Sequence, residues 1–262
     1  MADSKPYTTQ LQAGLGLVNE TKTLLELWSP GMSAGQLHQV ALESGRFPTV
    51  TARRLRNIVT ECFAPRYLVA AGTPAIHLKR LSSTIPNVEL TQLMLVFTSR
   101  ANPILGDFVR HVYWAKYEGG YTQISNEDAR IFVERGIDDG KTVKRWSETT
   151  VRRVSAYLTG CCADYGLLER GQKQTRKIMP FRISQTVAAY LAHEMHFAGV
   201  GDNALLTQED WQLFGLARED VLEEIKRLSL KGLLIFQSAG DVIRISWNQQ
   251  DMEALCDVLA QS

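Results

Sequence analysis

Ten lysines and arginines crowd residues 141–182: Lys141, Lys144, Arg145, Arg152, Arg153, Arg170, Lys173, Arg176, Lys177 and Arg182. Only three acids, Glu148, Asp164 and Glu169, share the stretch, which leaves it at +7. Cations at this density suit a polyanion, because neutralising phosphates releases their counterions and drives binding. Residues 183–262 stand at −7 and residues 1–140 at +1. The net charge of +1 therefore conceals a basic middle and an acidic end. Local clustering, not the total, sets affinity for a polyanion.

Other chemistries find less support. Gly136-Ile137-Asp138-Asp139-Gly140-Lys141-Thr142 looks like a phosphate-binding loop, but three residues separate the glycines where the motif needs four, and no apolar strand precedes it. His193 and His196 flank Glu194 at a three-residue step, whereas zinc peptidase chemistry needs HExxH. No GxSxG surrounds a serine. Cys62, Cys161, Cys162 and Cys256 form no CxxC pair, so reduced core thiols are expected rather than a zinc site. The sequence offers no catalytic set, no metal ligands and no cofactor site, and the chain is expected to be a non-enzyme.

The basic residues need elements to position them. SETTVRRVSAYLTGCCADYG (147–166) predicts a helix: Ser147 is a good N-cap, Glu148 suits the positive end of the dipole, and Gly166 supplies a left-handed stop. Val151, Val154, Leu158, Cys161 and Tyr165 recur at three- and four-residue steps, which marks them as the buried face. Thr149, Thr150, Arg152, Arg153 and Tyr157 are left on the other faces. Leu167 and Leu168 then start a strand, Ile178 to Ile183 return it, and the turn between carries Arg170, Lys173, Arg176 and Lys177. A helix followed by a basic hairpin is the heart of a winged helix-turn-helix, in which the helix enters the major groove of DNA and the wing rides on the backbone. Thr149, Thr150, Arg152 and Arg153 would face the groove. The four turn cations would face phosphates, with Lys141, Lys144 and Arg145 beside them.

The remaining chain reads as mainly α. Helices are expected at 10–28, from Ser33, from Thr51, at 87–98 and at 104–117, with an irregular stretch between Pro65 and Pro86. The helix from Thr51 starts with Arg53, Arg54 and Arg56, a possible second nucleic-acid site whose bland reading is a three-helix bundle with arginines on its surface. Ser125 caps a helix to Gly136, and a short helix is expected at 139–146. After the wing the plan recurs: helices at 184–198, 207–214 and 217–231, a hairpin pairing 233–236 with 242–245, and a last helix at 248–261. Here Glu219, Asp220, Glu223 and Glu224 stand where a reading helix needs cations, and the wing tip holds Asp241, so this copy is expected to be a scaffold or protein-docking surface. The expected domains are a helical bundle or helix-turn-helix unit at 1–120, a winged unit with a basic wing at 121–183, and an acidic winged unit at 184–262. No apolar run approaches the ~18–20 residues that span a bilayer. MADSKPYTTQ lacks the apolar core of a secretory signal, so a cytoplasmic location is expected.

AGLGLVNETKTLLELW (13–28), LHQVALESGRFPTVTARRLRNIVTECFAPRYL (37–68) and the central SETTVRRVSAYL resemble the BrxA family of BREX phage-defence systems. The resemblance implies a small non-enzymatic accessory subunit that binds double-stranded DNA. It would act beside the system's methyltransferase, ATPase and phosphatase-like proteins in host protection and phage exclusion. Two other roles stay open: a protein–protein assembly adaptor, and an RNA-binding, antitermination-like protein.

Overall fold

The computed structural model describes residues 5–13, 16–171, 173–240 and 242–261. The protein is mainly helical with two small antiparallel strand pairs. It divides into two compact units, one of residues 1–76 and 94–180, the other of residues 77–93 and 181–262. Residue 120 lies within the first unit, and the second takes in residues 77–93 besides 181–262.

The first unit opens with α1 (Val18–Leu27), α2 (Ala34–Glu43) and α3 (Ala52–Asn57). The expected single helix over 10–28 is broken at Gly16 and Leu17. Leu17 takes a left-handed backbone (φ 50°), and Gly16 is hemmed in, since a Cβ there would lie 2.5 Å from Asp164 Cβ. Helix α2 is held by a capping box in which Ser33 and Gln36 satisfy each other's free N–H groups. The α3 helix runs through a π-helical stretch, Ile58–Phe63, into α4 (Ala64–Tyr67).

The stretch between Pro65 and Pro86 is not irregular: it contains α5 (Thr73–Leu81). Pro74 sits in the first turn of α5, where its missing N–H has no helical partner to lose. Next come α6 (Asn87–Ala101) and α7 (Pro103–Phe108), which passes through a π-helical stretch (Val109–Tyr113) into α8 (Trp114–Glu118). The division between the two units falls within α5 and α6.

A strand not foreseen from the sequence, β1 (Gln123–Ser125), precedes α9 (Asn126–Asp138). The short helix expected at 139–146 does not form; Thr142 instead bridges Tyr7 in parallel. Helix α10 (Glu148–Asp164) follows, and β2 (Thr175–Lys177) closes the unit. β2 pairs with β1 in the register Ile124 opposite Arg176, and Leu168 bridges Ile178 on the other side. Two helices, α9 and α10, thus stand between β1 and the β2 that pairs with it.

The second unit holds α11 (Gln185–Phe197), α12 (Asp202–Leu205), α13 (Glu209–Gln212), α14 (Arg218–Leu230), β3 (Leu234–Ala239), β4 (Val242–Trp247) and α15 (Met252–Leu259). Its core is the fully buried Val187, Tyr190, Leu191, Val221, Ile225, Leu228 and Leu255. The hairpin pairs Phe236 with Ile245 and Ala239 with Val242; its first strand runs three residues past the expected end at 236 and its second two past 245, so the register differs from the expected one. Each strand of this hairpin has one edge N–H taken by a side chain: Ser229 Oγ accepts from Phe236 (3.2 Å) and Asp202 Oδ2 from Ile245 (2.9 Å). Filling edge sites in this way removes part of the template for unwanted strand pairing. Asp241 lies outside the described residues. Among those residues no helix is long and apolar enough to cross a membrane.

Two histidines of this unit are held in water-poor places. His77 Nδ1 lies 2.7 Å from the Tyr190 hydroxyl, and His193 Nδ1 lies 2.8 Å from Ala189 O. Burial lowers both pKa values below the usual 6.5. The unfolded chain therefore takes up protons at a higher pH than the folded one, so stability is lost as pH falls below about 6.5. Asp107 and Asp128 have lowered values, and their contribution goes only as pH falls through the carboxylate range, below the histidine window. Thermal melts at pH 7.5 and 5.5 should give the lower midpoint at 5.5, with the difference shrinking in the double variant His77→Gln, His193→Gln. An equal or higher midpoint at pH 5.5 would contradict this.

Candidate nucleic-acid interface

Helix α10 starts at Ser147, whose Oγ accepts from Thr150 N–H (3.3 Å), and Gly166 ends it with φ 85°. Val151, Val154, Leu158, Cys161 and Tyr165 are all buried, as their spacing requires. So are Ser155, Thr159 and Cys162, which widens the buried face. Thr149, Arg152 and Arg153 are left exposed, with Thr150 half-buried. Among the described residues, neither arginine has a carboxylate within ion-pairing distance.

The end of α10 is locked by buried polar groups. The Tyr165 hydroxyl donates to Gly16 O (3.2 Å) and shares a hydrogen bond with Thr98 (2.7 Å). Arg66, 2% exposed, donates to the same carbonyl at 3.4 Å. Gly16 N–H in turn donates to Asp164 Oδ2 (2.8 Å). Burial pushes the Asp164 carboxyl up, and this bond, then Arg170, opposes the shift.

The basic turn departs from its sequence reading at one residue. Arg176 does not face solvent: it is only 7% exposed. Its Nη1 reaches inward to Glu169 O (3.1 Å) and also bonds to Gly171 O. The reason lies in β1, because Arg176 occupies the middle of the strand that pairs with Ile124 and points to the buried side, while Thr175 and Lys177 point out. Arg176 therefore holds the turn rather than offering it a charge. Arg170 and Lys177 are exposed, with no ion pair among the described residues. Lys173 is exposed but pairs with Glu169 (2.7 Å).

Before α10, Lys144 is exposed, and Arg145 pairs with Asp138 (3.2 Å) in the open. Exposed pairs of this kind are worth ~0–1 kcal/mol and yield readily to a stronger partner. Lys141 is spoken for more firmly. Its Nζ donates to Asp107 Oδ2 (3.0 Å) and to the Tyr7 hydroxyl (3.1 Å). Burial alone would raise the Asp107 pKa, but bonds from Tyr7 and Lys141 outweigh it and the net shift is down. The phosphate-loop look of 136–142 also dissolves here. Gly136 lies inside α9, where a Cβ would come within 2.7 Å of the Tyr7 ring.

One residue ties the turn to α10. Asn126 N–H donates to Gln174 O (2.7 Å), and its side chain accepts from Thr159 Oγ1 (2.6 Å). Thr159 is seven residues, two helical turns, beyond Arg152. At 1.5 Å per residue the turn is thus anchored about 10 Å further along α10, at the edge of its buried face.

The other candidates lie elsewhere. Arg53, Arg54 and Arg56 are exposed on α3, and no basic hairpin follows them. His193 is buried, and His196 stacks on Trp247 at 4.4 Å and 12°. Cys62, Cys161, Cys162 and Cys256 are buried and unbridged. The acids of α14 form pairs on their own helix, Glu223 with Lys226 and Glu224 with Arg227.

Arg176→Met should release the turn, since hydrogen bonds to a charged group contribute about 1.5–3 kcal/mol each and the Glu169 and Gly171 carbonyls would lose this donor. Amide hydrogen exchange over residues 168–178 should speed up relative to α9. Unchanged protection there would show that Arg176 does not hold the turn.

Among curated proteins none matches the chain. The BrxA family model matches residues 5–195, which cover the described part of the first unit and run on into α11. The chain therefore belongs to the BrxA family, and so to the components of BREX phage-defence systems.

Proposed function

We propose that this protein is a non-enzymatic subunit of its defence system that binds double-stranded DNA through α10 and the basic turn. The observation that carries the reading is the exposed stripe with Arg152 and Arg153, tied through Asn126 to a turn with Arg170 and Lys177. The winged reading is supported by β1 before α9 and α10 and by the β2 that follows them and pairs back with β1. A helix about 10–12 Å across fits a major groove about 12 Å wide. Arg152 and Arg153 can form bidentate bonds to guanine edges or to phosphates, and Thr149 and Thr150 can reach either. Arg170, Lys173 and Lys177 are placed for the backbone beside it, where Lys173 would exchange Glu169 for a phosphate. Lys144 and Arg145 extend the cationic surface before α10. The other BREX proteins, namely the methyltransferase, ATPase and phosphatase-like subunit, would be its working partners.

A second reading concerns the second unit alone. Exposed Leu230 (89%), Val242 (67%) and Ile235 (51%), with the carboxylates of α14, suit protein docking better than phosphate. In that reading the second unit is the adaptor to the rest of the complex.

Arg152→Glu with Arg153→Glu, and separately Arg170→Glu with Lys177→Glu, should each weaken duplex binding at least tenfold at low salt. The log–log salt slope should fall by about 0.9 for every phosphate that a variant no longer neutralises. Retention of wild-type affinity by both double variants would sink the reading. Competition of single-stranded RNA against duplex for the wild-type chain separates the RNA-binding alternative: displacement of duplex by RNA at equimolar amounts would favour it.

A further inference from the structure

Beside the first turn of α10 lies an open cleft of about 660 Å³, and one of its walls comes from the chain's N-terminal segment. Thr8 and Thr9 form that wall, and Lys144, Arg145, Trp146 and Thr150 form the other. The segment is not loosely laid there. Tyr7 is 4% exposed, its N–H donates to Lys141 O (2.7 Å), and its hydroxyl donates to Asp107 Oδ2 (2.6 Å). Its ring fills the space that the absent side chain of Gly136 leaves. A buried tyrosine thus fixes two threonines opposite two cations.

We infer that this cleft takes a phosphodiester of the nucleic-acid backbone, so that the N-terminal segment forms part of the interface. The inference rests on the DNA-binding reading above and adds a contact to it. The chemistry of the walls points to phosphate. Lys144 has no carboxylate partner among the described residues, and the pair of Arg145 with Asp138 is exposed on both sides. Thr8 Oγ1 accepts from Gln10 N–H, which leaves its own hydrogen to donate outward. Trp146 is half-buried and offers a flat apolar surface for a sugar. The helix end itself is already satisfied, because Ser147 takes the Thr150 N–H. Its place favours a continuous strand over a free anion. Thr150 lies one turn before Arg153, about 4.5 Å along the axis, so the cleft prolongs the cationic stripe. It is also open, where a site for a lone anion would enclose it.

The test measures anisotropy of a labelled duplex with the full chain between about 50 and 200 mM salt. Lys144→Gln should lower the log–log slope by about 0.9 and weaken binding several-fold at low salt. Thr8→Val with Thr9→Val should weaken binding about threefold to tenfold with no change in slope, because hydroxyls release no counterions. If both variants match the wild type while Arg152→Glu with Arg153→Glu loses the duplex, the DNA reading stands and the cleft contact is refuted. If the wild type binds no duplex at all, both are refuted. Inorganic phosphate in place of chloride, at equal ionic strength, should leave wild-type affinity within about twofold if the cleft works only as part of an extended backbone contact. A large loss in phosphate that Lys144→Gln abolishes would mean the cleft holds a free anion, and would overturn the inference.

Discussion

Desolvation of Val151, Val154, Leu158, Cys161 and Cys162 along one side of α10 fixes the rotation of that helix in the first unit. Each residue advances a helix by about 100°, so no residue on it can be turned without turning all of them. With those five side chains inward, Arg152 and Arg153 have nowhere to go but outward. Rolling the helix to hide them would expose several large apolar groups, at about 1.5–3 kcal/mol for each side chain left in water. The presentation of the two arginines is thus enforced by the core and not by any contact they make themselves.

The far end of α10 is pinned by a different kind of interaction. Arg66 is a buried charge, and charges removed from water are costly unless they meet good acceptors. The carbonyl it reaches, Gly16 O, also accepts from Tyr165, which follows the last residue of α10, while the Gly16 N–H goes to Asp164. This knot explains why the chain breaks at Gly16 and Leu17 instead of continuing one helix from residue 10. A side chain at residue 16 would strike Asp164, and the strained left-handed Leu17 is repaid by the bonds its neighbour makes. It also joins the N-terminal helices to α10 within one unit.

What the sequence made legible follows from how local the physics is. The limits and buried face of α10 could be read from Ser147, Gly166 and a run of spaced apolar residues, because caps and periodicity act within a few positions. The helices expected at 184–198 and 217–231 were readable for the same reason, whereas the register of the hairpin that follows was not, since its first strand extends toward the turn. The expected DNA contacts at Thr149, Arg152 and Arg153 sit on an exposed face. Strand β1 was missed because Gln123-Ile124-Ser125 carries a single apolar residue, and it becomes a strand only by pairing with Thr175–Lys177 fifty residues later. That pairing is what turns Arg176 inward, so a cation that looked like its neighbours is a structural one. Lys141 is neutralised by Asp107, thirty-four positions away, which no local reading could foresee. Charge counts locate a basic region, but tertiary pairing decides which of its cations remain available.

The central claim is that one surface of the first unit, made by the outer side of α10 and the turn at 168–178, meets duplex DNA. Hydrogen–deuterium exchange of the full chain with and without saturating duplex tests it most directly. The account predicts slowed exchange in peptides covering residues 143–157 and 168–178, with α14 and the β3–β4 hairpin unchanged. Protection confined to α14 or that hairpin, or to α3 with Arg53, Arg54 and Arg56, would contradict it.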